Sequence, residues 1–168
     1  AIGRGTQNYT CSPNNATAVP ASIGATATLF NASCAAATYP DVLAKVPRVV
    51  LQFNQTDTQS STLHPVSMEV SGYHYFLDSK TPFFTLDTEA MQLGQAACAK
   101  NASVPAPAGS SKGQGGVGYG AVPWLQLLTK NGATGKLMEV YRINTAGGSP
   151  PPNCSNMPAT FEVQYAAE

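Results

Sequence analysis

Charge is what this sequence has least of. Of its 168 residues nine are Lys or Arg and nine are Asp or Glu, 11% in all, against about 25% in an ordinary globular domain. No two basic residues adjoin, so the cation clusters that a nucleic-acid partner requires are missing. Long apolar runs are absent too. None approaches the roughly 18 residues that would cross a bilayer, and no leader-like segment opens the chain, which reads as a mature protein with no membrane partner. The four cysteines form no CxxC and no Cys/His pair at zinc-ligand spacing, so neither a metal nor a cofactor is expected.

What is present argues for a packed domain. Hydrophobic residues make up 43% of the chain, and one Trp, seven Tyr and six Phe give it a core, which excludes disorder. The length suits a single domain over 1–168.

Asparagine supplies the first compartment signal. Ten Asn among 29 Ser/Thr should produce about 1.7 acceptor motifs for N-linked glycans by chance, yet six occur, at Asn8, Asn15, Asn31, Asn54, Asn101 and Asn153. N-linked glycans and a secreted, extracellular protein follow. In that setting Cys11, Cys34, Cys98 and Cys154 read as two disulfides, with three connectivities open.

The apolar segments are short, β-branched or aromatic, and bounded by Gly, Pro, Asn or Ser. This predicts strands near 4–11, 24–30, 48–54, 66–77, 82–86, 123–129, 136–145 and 160–166. The fold class is all-β: an antiparallel β-sandwich with one or two short helices and a long Gly/Pro-rich loop at 104–122. Pro40 and Asp41 suit the first turn of a helix over 39–46 capped by Thr38, and a second helix is expected over 88–99 despite Gly94. In the strand at 66–77 the parity of Val66, Met68, Val70, His74 and Phe76 is expected to face the core, with Tyr73 and Tyr75 outward.

Few motifs carry chemistry. Gly113, Gly115 and Gly118 spell GxGxxG, and Gly109, Ser111 and Gly113 spell GxSxG. A dinucleotide site or a nucleophile elbow needs a strand before the turn and a helix after it, whereas here Pro-rich coil precedes and Pro123-Trp124 follows. His64, next to Pro65, reads as a turn residue. An inward His74 is ordinarily a hydrogen-bonded core residue, and in a pocket it would be a base, a ligand or a polar anchor. Tyr73 and Tyr75, about 7 Å apart by strand rise, are either ordinary outward β-formers or a sugar-stacking platform. Trp124 follows the long loop and reads as half core, or else as lining a pocket beneath that loop. Arg142 interrupts an apolar strand, either snorkelling outward or holding a carboxylate or carbonyls inside. Catalysis would need a carboxylate such as Glu139 to converge with His74 and Arg142 in one pocket.

The segments GRGTQNYTC, AVPWLQLL, VYRINTAGGSPPPNC and VQYAAE resemble the secreted, mainly fungal family known as domain of unknown function 3455, whose members often carry the label malate dehydrogenase. The resemblance spans essentially the whole chain. It implies an extracellular β-rich domain of unestablished role, and nothing in the sequence supports a dehydrogenase. Gln7, His74, Trp124 and Arg142 fall on shared motifs, as do Cys11 and Cys154, while Cys34 and Cys98 look like additions. The resemblance thus implies Cys11–Cys154 and Cys34–Cys98 bridges. With no assembled catalytic set, the expectation is a non-catalytic module that binds carbohydrate or a small apolar ligand near the cell wall, through candidates His74, Tyr73, Tyr75, Trp124, Arg142 and Gln7. The alternatives are a polysaccharide-active enzyme with a pocket around His74 and Arg142, and a purely structural wall protein.

Overall fold

The computed structural model describes residues 1–53, 62–63 and 65–168. Asn54, His64 and the end of the strand expected over 48–54 lie outside the described residues. The chain is all-β and antiparallel. Its strands are β1 (Ile2–Thr10), β2 (Ala21–Phe30), β3 (Thr62–Leu63), β4 (Met68–Asp78), β5 (Thr81–Asp87), β6 (Gln92–Val104), β7 (Trp124–Thr129), β8 (Glu139–Arg142), β9 (Ala146–Gly147) and β10 (Thr160–Ala167). The helices α1 (Ser33–Thr38), α2 (Pro40–Leu43) and α3 (Val46–Val50) are short. No helix among the described residues is long and apolar enough to cross a membrane.

The two facing layers expected of a sandwich are two halves of one curled sheet, ordered β8-β7-β6-β5-β4-β2-β1-β10-β9, with β3 added to β4. Its two ends belong to one segment of chain. β8 pairs with β7, then Asn144 turns through a left-handed conformation (φ 50°), and β9 pairs with β10. Between them Ile143 and Glu168 exchange backbone hydrogen bonds of 2.8 and 2.9 Å. The sheet therefore closes into a barrel, and asparagine is a residue type that tolerates the turn this closure needs.

Strand parity separates an inside from an outside. On the outer face Ile2, Phe30, Leu43, Val46, Val50, Leu51 and Ala166 form a core that seats the helices against β1, β2 and β10. Arg4 is buried in the same layer at 1% exposure, donating to the carbonyls of Gly5, Tyr165 and Phe53 at 3.1–3.2 Å. Inside, Ala25, Ala27, Tyr165 and Ala167 form one cluster and Ala96, Cys98 and Leu127 another.

The expected helix near 39–46 is present as α2, with Pro40 and Asp41 in its first turn, although no side chain caps it. Two expectations are overturned. Residues 46–50 are helical, because Val46, Pro47, Val50 and Leu51 recur at helical spacing and all are buried while Arg48 and Val49 are exposed. Residues 92–104 are a strand: Gly94, Ala96 and Cys98 alternate inward, a period of two that outweighs the helix propensity of the alanines.

Candidate functional site

The barrel encloses a cavity of about 640 Å³, within the range typical of small-molecule sites. Gly3 on β1 contributes room to it, while Ala25 and Ala27 on β2 pack with Tyr165 and Ala167 beside it. At Gly5 a Cβ would collide with the backbone of Thr26, so glycine also permits the close approach of the two strands. Leucines and aromatics such as Leu29, Phe76, Phe84, Leu125 and Leu127 supply the apolar wall. Ala1, Ser22, Ser79, Lys80, Lys100, Glu139 and Tyr141 are the exposed members of the lining and mark where the cavity opens to solvent.

Four buried or half-buried polar side chains interrupt this wall: His74, Arg142, Tyr165 and Glu168, whose carboxylate accepts from Asn144 Nδ2 at 2.8 Å. The alternation of β4 turns His74 inward, where it is 9% exposed, stacks on Phe84 at 4.3 Å and meets Phe76 edge-on at 5.5 Å. Its Nδ1–H donates to the Phe83 carbonyl at 2.9 Å, which leaves Nε2 as a bare acceptor. Burial pushes its pKa down to about 4, the Phe83 hydrogen bond opposes this, and the nearby Arg142 cation adds to it. His74 is therefore neutral at pH 7.

Arg142, at the end of β8, is half-buried. Its Nε and Nη2 both donate to the Pro123 carbonyl, at 3.2 and 2.8 Å. Burial lowers its pKa, and the groups that oppose this are the phenols of Tyr165 and Tyr9, with no carboxylate among them. Tyr165, fully inside, is pushed up by burial, while Arg142, Gln7 and Arg4 favour its ionised form. Tyr9 is likewise pushed up to about 12 by burial and donates to the Gly148 carbonyl at 2.7 Å. Gln7, on the inward parity of β1, borders Tyr165, but no hydrogen bond of good geometry reaches its Nε2.

The structure thus brings His74 and Arg142 to one cavity and places Gln7 at its margin through Tyr165. Tyr73 and Tyr75 point outward at 48% and 38% exposure, over a shallow depression of about 390 Å³ that they share with Thr26, Thr28 and Thr85. Trp124 takes the outward parity of β7 with Gln126 and stands half-buried, its Nε1 without a hydrogen-bond partner among the described residues. Glu139 reaches the rim, where the Tyr141 hydroxyl donates to its carboxylate and Gln126 Nε2 donates at 3.0 Å. Both hydrogen bonds hold its carboxyl below the usual range. Tyr165 and Phe84 were missed by sequence reasoning. Their signal was available in the alternation of Val163, Tyr165 and Ala167 along β10 and of Pro82, Phe84 and Leu86 along β5.

The remaining expectations divide. Cys11 and Cys154 are bridged, with Cα atoms 5.6 Å apart, and the bond ties the end of β1 to the approach to β10. The Cys34–Cys98 bridge is overturned: both thiols are free, Cys34 exposed on α1 and Cys98 buried in the barrel wall facing inward. Of the glycan acceptors, Asn15, Asn31 and Asn101 are exposed, whereas Asn8 and Asn153 are half-buried. The loop after β6 contains a single 3-10 turn, Gln114–Gly116, and is held by Gly147 N–H donating to Ser111 and Gly115 N–H donating to Gln52. Cβ atoms at Gly113 and Gly118 would collide with the loop's own carbonyls, so these glycines serve its self-packing and no strand-turn-helix surrounds them. No cluster of three or more His, Cys, Asp or Glu that would hold a metal occurs among the described residues.

Residues 1–168 match the model of the family described as protein of unknown function (DUF3455), and the chain belongs to that family. No curated protein and no solved structure matches it.

Proposed function

We propose that this member of the family is a non-catalytic, extracellular glycoprotein module that holds a small apolar ligand inside its barrel. The observation that carries the reading is the cavity of about 640 Å³, with apolar walls interrupted by His74, Arg142, Tyr165 and Glu168. A mostly apolar pocket with a few convergent polar groups is the ordinary architecture of small-molecule recognition. A purely structural wall protein would have no use for such a space. The disulfide and the glycan acceptors support an extracellular setting.

Binding is favoured over polysaccharide cleavage by the state of the polar groups. His74 is neutral with a pKa of about 4, too weak a base for proton transfer near pH 7, and the Glu139 carboxylate is occupied by Tyr141 and Gln126 at the rim. The test is a titration with the neutral fluorophore N-phenylnaphthylamine. Saturable binding of one probe per chain is expected, and an absence of saturable binding would remove the reading.

A second reading, carbohydrate binding on the outer face, is favoured by the exposed pair Tyr73 and Tyr75 over the depression lined by threonines. Retention on insoluble cellulose, xylan, chitin or glucan that is lost in Tyr73→Ala would support it, and no retention on any of them would remove it.

A further inference from the structure

Arg142 brings a positive charge into the interior wall of an apolar cavity, and among the described residues no carboxylate stands among the groups that set its charge. A cation taken partly out of water without a counter-ion is costly unless something else compensates it. The protein compensates only one side of the guanidinium: Nε and Nη2 converge on the single Pro123 carbonyl. Nη1 has no hydrogen-bond partner among the described residues, so the end of the fork formed by Nη1 and the second hydrogen of Nη2 remains available. That end is a planar pair of donors matched to the two oxygens of a carboxylate.

The surroundings limit the ligand further. His74 is uncharged and offers only the Nε2 acceptor, and the Tyr165 and Tyr9 phenols are held in their protonated forms by burial. Lys100 and Lys80 stand at the exposed rim. Glu168 also lines the cavity, but its carboxylate accepts from Asn144 Nδ2 at 2.8 Å and is not among the groups that act on Arg142, so the Arg142 charge is left uncompensated there and a monoanion neutralises it. A phosphate monoester, close to a dianion at neutral pH, would leave excess negative charge against the apolar wall.

We infer that the ligand of the barrel is an amphipathic monocarboxylate whose apolar body lies along the leucine and aromatic wall and whose carboxylate pairs end-on with Arg142. This rests on the interior-binding reading proposed above.

The test displaces bound N-phenylnaphthylamine with decanoate, decanol and decyl phosphate at pH 7.5, on the native protein and on Arg142→Met and Arg142→Gln. Decanoate is expected to compete about tenfold or more better than decanol, a preference set by one charged hydrogen-bonded pair. Both variants are expected to abolish that preference, with competition by decanoate and decanol read in each against its own affinity for the neutral probe. Equal competition by decanoate and decanol on the native protein would overturn the inference and leave interior binding standing. So would stronger competition by decyl phosphate, or a decanoate preference that survives in either folded variant. Failure of the native protein to bind the neutral probe would instead overturn the interior-binding reading itself. The comparison of acid with alcohol on the native protein needs no variant to fold.

Discussion

His74 makes the stability of the barrel depend on pH in a window where few other groups titrate. Its pKa is about 4 in the folded protein against 6.5 for an ordinary histidine, with burial as the main cause. Between these values the unfolded chain takes up a proton that the native state refuses, so stability is full above pH 6.5 and falls as the pH drops toward 4. The full loss is about 3.4 kcal/mol, of which about 2 kcal/mol is gone by pH 5. For a chain of this length that corresponds to a fall in Tm of about 4–8 °C. Asp78 and Glu139 also lose stability on acidification, but hydrogen bonds hold both below their ordinary values of 3.8 and 4.5, so their losses come lower in the range. Urea unfolding at pH 7 and pH 5, followed by the fluorescence of Trp124, measures the difference. His74→Gln keeps an amide donor for the Phe83 carbonyl and cannot titrate, and His64 is common to both proteins and cancels. The native protein should lose about 2 kcal/mol more than the variant between the two pH values. Equal losses would refute the argument that burial, acting on this imidazole, sets the acid sensitivity.

The Cys11–Cys154 bridge closes a sequence separation of 143 residues, for which the chain-entropy model gives about 5 kcal/mol. Cys11→Ser with Cys154→Ser should therefore lower Tm by roughly 10–20 °C in calorimetry, and a change of only a degree or two would refute that reasoning. The exposed thiol of Cys34 and the buried thiol of Cys98, whose pKa burial raises, should give one maleimide adduct per native chain and two after denaturation without reductant. No adduct under either condition would restore the second bridge. In protein isolated from its producer, peptide mass mapping before and after deglycosylation should find glycans at the exposed Asn15, Asn31 and Asn101. Asn8 within β1 and Asn153 beside the bridged Cys154 should be bare.

Local patterning in the sequence was sufficient for β4: the alternation that turns His74 inward and Tyr73 and Tyr75 outward is visible over a few residues. It failed where two signals compete over the same stretch. In β6 the alanines argue for a helix while the inward parity of Gly94, Ala96 and Cys98 argues for a strand, and tertiary packing decides. At 46–50 the β-branched residues suggest a strand, but the contacts of Val46, Val50 and Leu51 with Ile2 and Phe30 reward a helix. The cavity was the least legible feature. It depends on β8 and β9 pairing with strands that lie far apart in the sheet order, and on Gly3, His74 and Arg142 converging on one interior, neither of which has a local signature. The same long-range geometry explains Trp124, which follows the loop in sequence but takes the outward parity of its strand.

The closure at Asn144 bears on how so weakly charged a protein avoids sticking to itself. An open sheet ends in a row of unsatisfied N–H and C=O groups that can recruit the same row from another molecule, and strong net charge is one common safeguard against such aggregation. With nine charges of each sign that safeguard is weak. Because β8 and β9 are consecutive parts of one segment, each terminal strand of the sheet is continuous with the other, and templated polymerisation has little free margin on which to begin.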